Sequence, residues 1–582
     1  MRRLIATSVF ALVTVLTTSG SSFAAGGMCP PGVPSGITSC FFISAVGADT
    51  NTGTSEAASW LHAPGMTNCA STCASTIPAA GEGFIFKGGD TWHFGNSGAS
   101  PYVGACSQYA ATCWLWQWGG SSGSPIYIGV DKSWFTGGSW TRPIMTGDNP
   151  LSTSVVASCS YDESGLVWML LDGPTVNYVT VDNFEWPGKC WSVSGYGSNA
   201  GSSIYDYQGL NNSFINNYFH GWTLTAGAID NNEMINGNDP TLASGTTISY
   251  NVFDGSDSSQ GTTALACQYA VNGSPCTSGM AIGIDAYNVD HNVFRYLSNG
   301  WIAGNTHDVH DNLFEYLYNP ITGCWSSTGK NCSSGPNDGP HPNIFNTDGN
   351  ASGVTDYFYN NVVRNNFQNV GMWFNVPVGL YFFNNVVWGS GSIGPQNCVT
   401  INNNTSSAVS VYVYNNTFDF PCTFRFDQAN GPAPAFNGTA YFENNHLIGY
   451  ANLGALRLCD TGATCTFTDR GSEIVQTEST ANGQGYVTGN NYAPTLITNA
   501  TVGAGANLTS SCSTFSADSM LCNGTTAGVV EQAGSGGMVA VSPAIIINAR
   551  PGSGAWDVGA YQFGKGSAGP PKPATALTTV RQ

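Results

Sequence analysis

The sequence predicts an all-β chain wound into a parallel solenoid, with asparagine ladders and disulfide-stapled loops. Three observations predict it. A six-residue pattern centred on paired Asn recurs eight times; Asn fills 54 of 582 positions and outnumbers Asp plus Glu, which total 35; and the 18 Cys fall into nine neighbouring couples. The remaining composition narrows the class. Only 9% of residues are charged, against about 25% in an ordinary soluble domain. A sequence pI near 4.5 argues against a nucleic-acid binder. A hydrophobic content of 42% with 12% aromatics argues against a disordered chain. Scarce Lys, Glu and Arg exclude a coiled coil.

The chain opens as an exported protein does. Arg2 and Arg3 form a basic head, residues 4–16 are an apolar run too short to span a bilayer, and Ser22-Phe23-Ala24-Ala25 supplies small residues for cleavage. Residues 1–25 are therefore read as a signal peptide. Its removal leaves 14 basic against 35 acidic residues, a net charge of −21. No later stretch reads as a membrane span, and the mature chain is read as a secreted monomer.

In an exported chain, an even number of Cys in local couples reads as loop staples. The couples are Cys29/Cys40, Cys69/Cys73, Cys106/Cys113, Cys159/Cys190, Cys267/Cys276, Cys324/Cys332, Cys398/Cys422, Cys459/Cys465 and Cys512/Cys522. No CxxC pairs with a second CxxC, which argues against a cysteine-held metal.

The repeat runs apolar, variable, Asn or a polar stand-in, Asn, variable, apolar. Clear copies are Phe214-Ile215-Asn216-Asn217-Tyr218-Phe219, Val289-Asp290-His291-Asn292-Val293-Phe294 and Val309-His310-Asp311-Asn312-Leu313-Phe314. The second Asn falls at 217, 251, 292, 312, 361, 385, 416 and 445, at spacings of 20 to 49 residues that suit coils with variable loops. Three before it the chain is always apolar and points inward; two before, it mostly points outward; one before, it is read as inward at the bend; two after, it is apolar again. Asn tolerates the left-handed backbone, and its amide can bond the same amide one coil on. The expected layout is a lead-in and cap over 26–80, the solenoid over 81–500, a closing segment over 501–563 and a disordered tail over 564–582.

These Asn-rich coils resemble the right-handed parallel β-helix proteins of the pectate-lyase-like superfamily. Stretch 42–54, Gly88-Gly89-Asp90-Thr91-Trp92, and Ser542-Pro543-Ala544 with Asp557-Val558-Gly559-Ala560-Tyr561-Gln562 resemble opening, turn and closing motifs of exported bacterial members. The resemblance implies a right-handed parallel β-helix acting on, or binding, an extracellular polysaccharide. It implies a lyase or a glycoside hydrolase, with a non-catalytic carbohydrate-binding or adhesive surface protein as the alternative.

A second set of strands ends in Asp285, Asn305, Asn346, Asn375, Asn402 and Asp427, which predicts a second polar ladder. Segment 285–348 holds four of the eight His. The 20-residue coil sets Asp290 beside His310 as an outward acid–base couple, and His291 beside Asp311 in the inward register. Asn346-Thr347-Asp348-Gly349 resembles a motif of polygalacturonase-like hydrolases whose Asp is catalytic, although no Asp-Asp pair, Gly-His-Gly or Arg-x-Lys follows. Asp338 through Asn343 resembles an Asp-Gly-x-His segment near active grooves of other bacterial β-helix proteins. The catalytic candidates are His341, Asp348, His310, Asp290 and Asp285. Asn305, His307, Trp325, Asn343, Asn346, Trp373, Arg364 and Arg425 are the candidates for holding substrate, because an aromatic stacks on a pyranose face while amides and charges bond its hydroxyls. A lyase also needs a base and a cation to stabilise an enolate. The candidates are Lys189, Arg295, Lys330, Arg364 and Arg425, and the one cofactor considered is Ca²⁺; a chain at −21 repels a polyuronate unless Ca²⁺ bridges them, so the charge leans towards a neutral glycan, or an anionic one in acidic or Ca²⁺-rich surroundings. Trp114, Trp116 and Trp118 alternate along one strand and are read as core or cap packing.

Overall fold

The computed structural model describes residues 26–104, 113–151, 158–192, 201–221, 223–224, 233–238, 245–254, 280–283, 286–295, 299–302, 308–315, 317, 343–347, 355–366, 371–376, 378–389, 398–403, 407–420, 422–427, 435–512, 521–525, 531–533, 539–541 and 547–564. Each coil contributes three strands to three parallel faces. The strand before the Asn pair belongs to a 13-stranded sheet running from Ser39–Ile43 to Thr464–Gly471, called here the entry sheet. The strand after it belongs to a 12-stranded exit sheet running from Thr91–His93 to Ile474–Gln476. The third face comprises a six-stranded sheet, Trp114–Trp116 to Asn299–Ile302, and a five-stranded one, Asn343–Thr347 to Arg457–Cys459. Every ladder in these sheets is parallel and joins one coil to the next, which makes the fold the expected right-handed parallel β-helix.

The bends explain the asparagine excess. The first residue of each pair, including Asn216, Tyr250, His291, Asp311 and Asn360, is left-handed at φ 53–59°. The second is fully buried. From Asn217 to Asn416, its backbone N–H and Nδ2 both donate to Oδ1 of the Asn one coil on, at 2.9–3.0 and 3.1–3.2 Å. The remaining Nδ2 proton bonds a backbone carbonyl, as Asn312 does to Val289 at 2.9 Å. Stacked amides thus satisfy buried groups that charged side chains could not satisfy without a desolvation cost.

The same stacking builds the core. The apolar residue two after the ladder Asn forms a file of rings, Phe219, Phe253, Phe294 and Phe314, with centroids 4.7–5.2 Å apart. That separation is close to the spacing of neighbouring strands, so parallel offset stacking comes from the ladder itself. Trp114 and Trp116 are fully buried, as expected.

Six of the nine Cys couples are bonded as predicted: Cys29–Cys40, Cys69–Cys73, Cys159–Cys190, Cys398–Cys422, Cys459–Cys465 and Cys512–Cys522. Each of the other three includes a residue outside those described. The closing segment lies on the outside of the entry sheet, where Leu508, Leu521 and Trp556 pack on Tyr359, Phe383 and Tyr414. The first Asn of the late pairs docks it: Asn384 accepts from Arg550, Asn415 donates to the Asp557 carbonyl and Asn444 to that of Ala506. Gly559 sits at φ 91°, where a Cβ would lie 2.7 Å from the Thr417 hydroxyl, so only glycine fits this contact. Among the described residues no helix is long and apolar enough to cross a membrane.

Candidate functional site

On the third face, strand alternation divides each strand into an inward and an outward file. Met372, Phe374, Val399, Ile401, Phe424 and Phe426 are buried in the core. Between them, Trp373, Thr400, Arg425 and Leu458 share one outward file, and Asn346 occupies the matching register position. Trp373 and Arg425 are two coils apart, about 10 Å along the solenoid. The Trp373 indole donates to Asn375 Oδ1 at 3.3 Å, which holds the ring against its strand. Arg425 bonds Asp460 at 2.6 Å and Asp427 at 3.2 Å, and a third of its side chain is exposed. The hydrogen bond to Asp460 raises its pKa and keeps it charged. An aromatic plate, a hydroxyl and a fixed guanidinium therefore line up along the coil axis. Asn343 pairs in register with Gly371 in the same sheet.

The second polar ladder is shorter than expected. Asn375, Asn402 and Asp427 end consecutive strands and are buried, and Asn402 Nδ2 reaches Asn375 Oδ1 at 3.4 Å. By backbone register Asn346 is not in line with them. A register shift after Asn343 sets Asn346 beside Trp373, and Thr347 ends the ladder instead, bonding Asn375 through its hydroxyl and its carbonyl.

The expected outward couple of Asp290 and His310 is corrected. Their strands do set them side by side. Each imidazole, however, bonds the carboxylate next to it along the chain: His291 Nδ1 lies 2.6 Å from Asp290 and His310 Nδ1 2.8 Å from Asp311. Asp290 is only 6% exposed and also accepts from Ser249 and Asn288. Hydrogen bonds from its neighbours hold its carboxyl below the usual range despite the opposing desolvation. His291 and Asp311 do not take the inward register either. They are the left-handed residues of their pairs, and Asn292 and Asn312 fill the interior.

Arg364 lies on the exit sheet, away from the file of Trp373 and Arg425. It bonds Glu315 at 2.7 Å, one of two ion pairs at a single repeat position that sequence reading missed. Arg295 bonds Asp254 at 2.8 Å with both side chains buried, and His220 bonds Glu185 at 2.9 Å. The signal was available: three residues after the ladder Asn, successive coils carry His220, Asp254, Arg295, Glu315 and Arg364, an alternation of charge. Lys189 is also not a groove base. It is buried, donates to the carbonyls of Leu166 and Ser202, and lies over Trp168, near the buried Glu163; burial pushes the lysine down to about 8 and the carboxyl up to about 8. Asp285, Asn305, His307, Trp325, Lys330, His341 and Asp348 lie outside the described residues.

The architecture is that of a parallel β-helix. No family model matches the chain, and no curated protein matches it. Among solved structures it is similar to a pectate lyase, Pel9A, at 16% identity and TM-score 0.35 over 90% of this chain and 96% of that one. A rhamnogalacturonan lyase matches at 12% identity and TM-score 0.35 over 75% and 86%. A GH136 lacto-N-biosidase from Eubacterium ramulus matches at 11% identity and TM-score 0.35 over 75% and 68%. Likenesses this distant assign no chemistry.

Proposed function

We propose that the chain is an exported polysaccharide-active β-helix that lays a glycan along the third face. The outward file of Trp373, Thr400 and Arg425 carries this reading, because it places a stacking ring and polar donors in line at successive coils. A polymer running parallel to the solenoid axis meets one outward side chain per coil, which is how a repeating ligand is best matched by a repeating protein. Six disulfides suit the oxidising compartment that the leader implies.

The proposed reaction is lyase or glycosidase chemistry, with His341 and Asp348 as the acid–base candidates that the sequence motifs supply. Ca²⁺ prefers six to eight oxygen ligands. On the described third face, Asp427 and Asp460 are both paired with Arg425, so these residues do not form a Ca²⁺ cage, and no step is derived through that ion. One observation favours the alternative of a non-catalytic carbohydrate-binding surface. The described basic candidates Arg295, Arg364 and Arg425 are each held by a carboxylate, which suits positioning better than proton abstraction.

Incubation of the mature chain with pectins, alginate and neutral glycans, with and without Ca²⁺, tests the proposal through unsaturated products and reducing ends. Product that disappears in His341→Ala or Asp348→Ala supports the enzyme. Glycan binding without product supports the surface protein. Neither binding nor product contradicts both.

A further inference from the structure

We infer that the corner formed by His291, His310 and Asp311 is a site for a divalent transition metal of the zinc class. The three residues come from two adjacent coils, and each brings a ligating atom to within 4.8 Å of the other two. Binding at about 2.1 Å per ligand requires them to close by roughly an ångström. Among the described residues it is the one cluster of His, Cys and carboxylates with this convergence.

Four features point to a cation. Asp311 Oδ2 accepts from His310, but its Oδ1 is buried with no hydrogen-bond partner, on a side chain only 5% exposed. A carboxylate oxygen left unpaired in a buried position is costly, and a cation offsets that cost. Asp290 faces His291 at Nδ1, which leaves Nε2 as the lone-pair donor in the carboxylate–histidine arrangement that orients metal-binding imidazoles. His310 Nδ1 and Asp311 Oδ2 lie 2.8 Å apart and can grip one ion between them in place of their shared proton. Both rings are also held in place: Tyr250 stacks on His291 with centroids 4.5 Å apart and Tyr359 on His310 at 4.7 Å, while the two imidazoles meet edge to face at 6.1 Å. Finally, the His side chains keep 15% and 16% of their surface exposed, so an ion can enter and water can fill the remaining positions.

The donor set decides the class. Two imidazoles and one carboxylate suit zinc, copper or nickel, whereas Ca²⁺ and Mg²⁺ require oxygen. Asp290 is a positioning residue here, because Ser249, Asn288 and His291 already occupy its oxygens.

The test uses the whole mature chain, stripped with a chelator and titrated with Zn²⁺ by calorimetry and with Co²⁺ by visible absorption. One ion per chain is expected, unaffected by excess Ca²⁺. His310→Gln and Asp311→Asn should weaken binding by about 100-fold and Asp290→Asn by about 10-fold. Circular dichroism checks that each variant is folded. Folded wild-type chain that binds neither ion overturns the inference, as does unchanged affinity in the folded variants. Should either ligand variant fail to fold, the calorimetric stoichiometry and the cobalt spectrum of the wild type decide alone, since imidazole nitrogen ligation has its own visible signature and its absence overturns the site.

Discussion

Replacing Asn312 by Ala removes one rung from the middle of the buried ladder. Asn312 Oδ1 accepts from the backbone N–H of Asn292 at 2.9 Å and from its Nδ2 at 3.1 Å, while Asn312 Nδ2 donates to the Val289 carbonyl at 2.9 Å and to Asn361 Oδ1 at 3.1 Å. Asn292 Nδ2 keeps a second acceptor in the Ile248 carbonyl, and Asn361 Oδ1 keeps the backbone N–H of residue 312. The Asn292 N–H loses its acceptor, whereas the Val289 carbonyl keeps the ladder bond from the His310 N–H that the parallel register sets. At about 1–3 kcal/mol for a buried group left unpaired, the loss is about 1–3 kcal/mol. Asn312→Asp should also destabilise near neutral pH, because a carboxylate cannot donate to Val289. Urea unfolding followed by circular dichroism measures the effect. A loss below about 1 kcal/mol for Asn312→Ala would refute the view that the amide ladder holds the coils.

Three further outcomes follow from other parts of the fold. Asp254→Asn leaves Arg295 as a buried charge without its carboxylate and should cost about 3–5 kcal/mol, whereas replacing both by Leu should cost far less; equal losses in urea unfolding would contradict an ionic pairing. His446 is fully buried, bonds Gln476 at 2.8 Å, and is pushed by desolvation down to about 4. The unfolded chain takes up that proton near pH 6.5 and the folded chain does not, so stability present above pH 6.5 falls as the pH drops toward 4; between pH 7 and 5 the wild type should lose about 2 kcal/mol more than His446→Gln. Arg364→Met should leave glycan binding unchanged, since Arg364 lies on the exit sheet against Glu315; a tenfold loss by affinity electrophoresis would return it to the binding face.

Legibility followed how directly a repeat position fixes a side chain's direction. The ladder was readable because each Asn holds a fixed place between two apolar residues, and that place is interior in every coil. The error at His291 and Asp311 has a local cause. A left-handed residue interrupts the alternation of a strand, so the first of the pair turns away and the second turns in. Arg364, read as following a bend, and Arg425, read as sitting in a groove strand, were both candidates for holding substrate. One follows the ladder Asn by three and joins the exit sheet, whereas the other sits mid-strand on the third face. Asp290 and His310 were correctly placed next to each other in adjacent coils, but sequence spacing says nothing of the neighbours that capture each side chain. Tyr359, Phe383 and Tyr414 face away from the lumen yet are buried, because the closing segment covers them, and no pattern within a coil encodes a cover that arrives several coils later.

The central claim is that the file of Trp373, Thr400 and Arg425 is a glycan-binding strip. It is tested most directly by calorimetric titration of wild type and Trp373→Ala with the glycan that the wild type binds best. Loss of a stacking aromatic at the centre of a binding strip is worth at least about 2 kcal/mol, or roughly 30-fold in affinity. The account predicts a loss of that size in Trp373→Ala with unchanged folding, and a smaller one in Arg425→Gln. Wild-type affinity in folded Trp373→Ala would contradict it and move the binding face to another part of the solenoid.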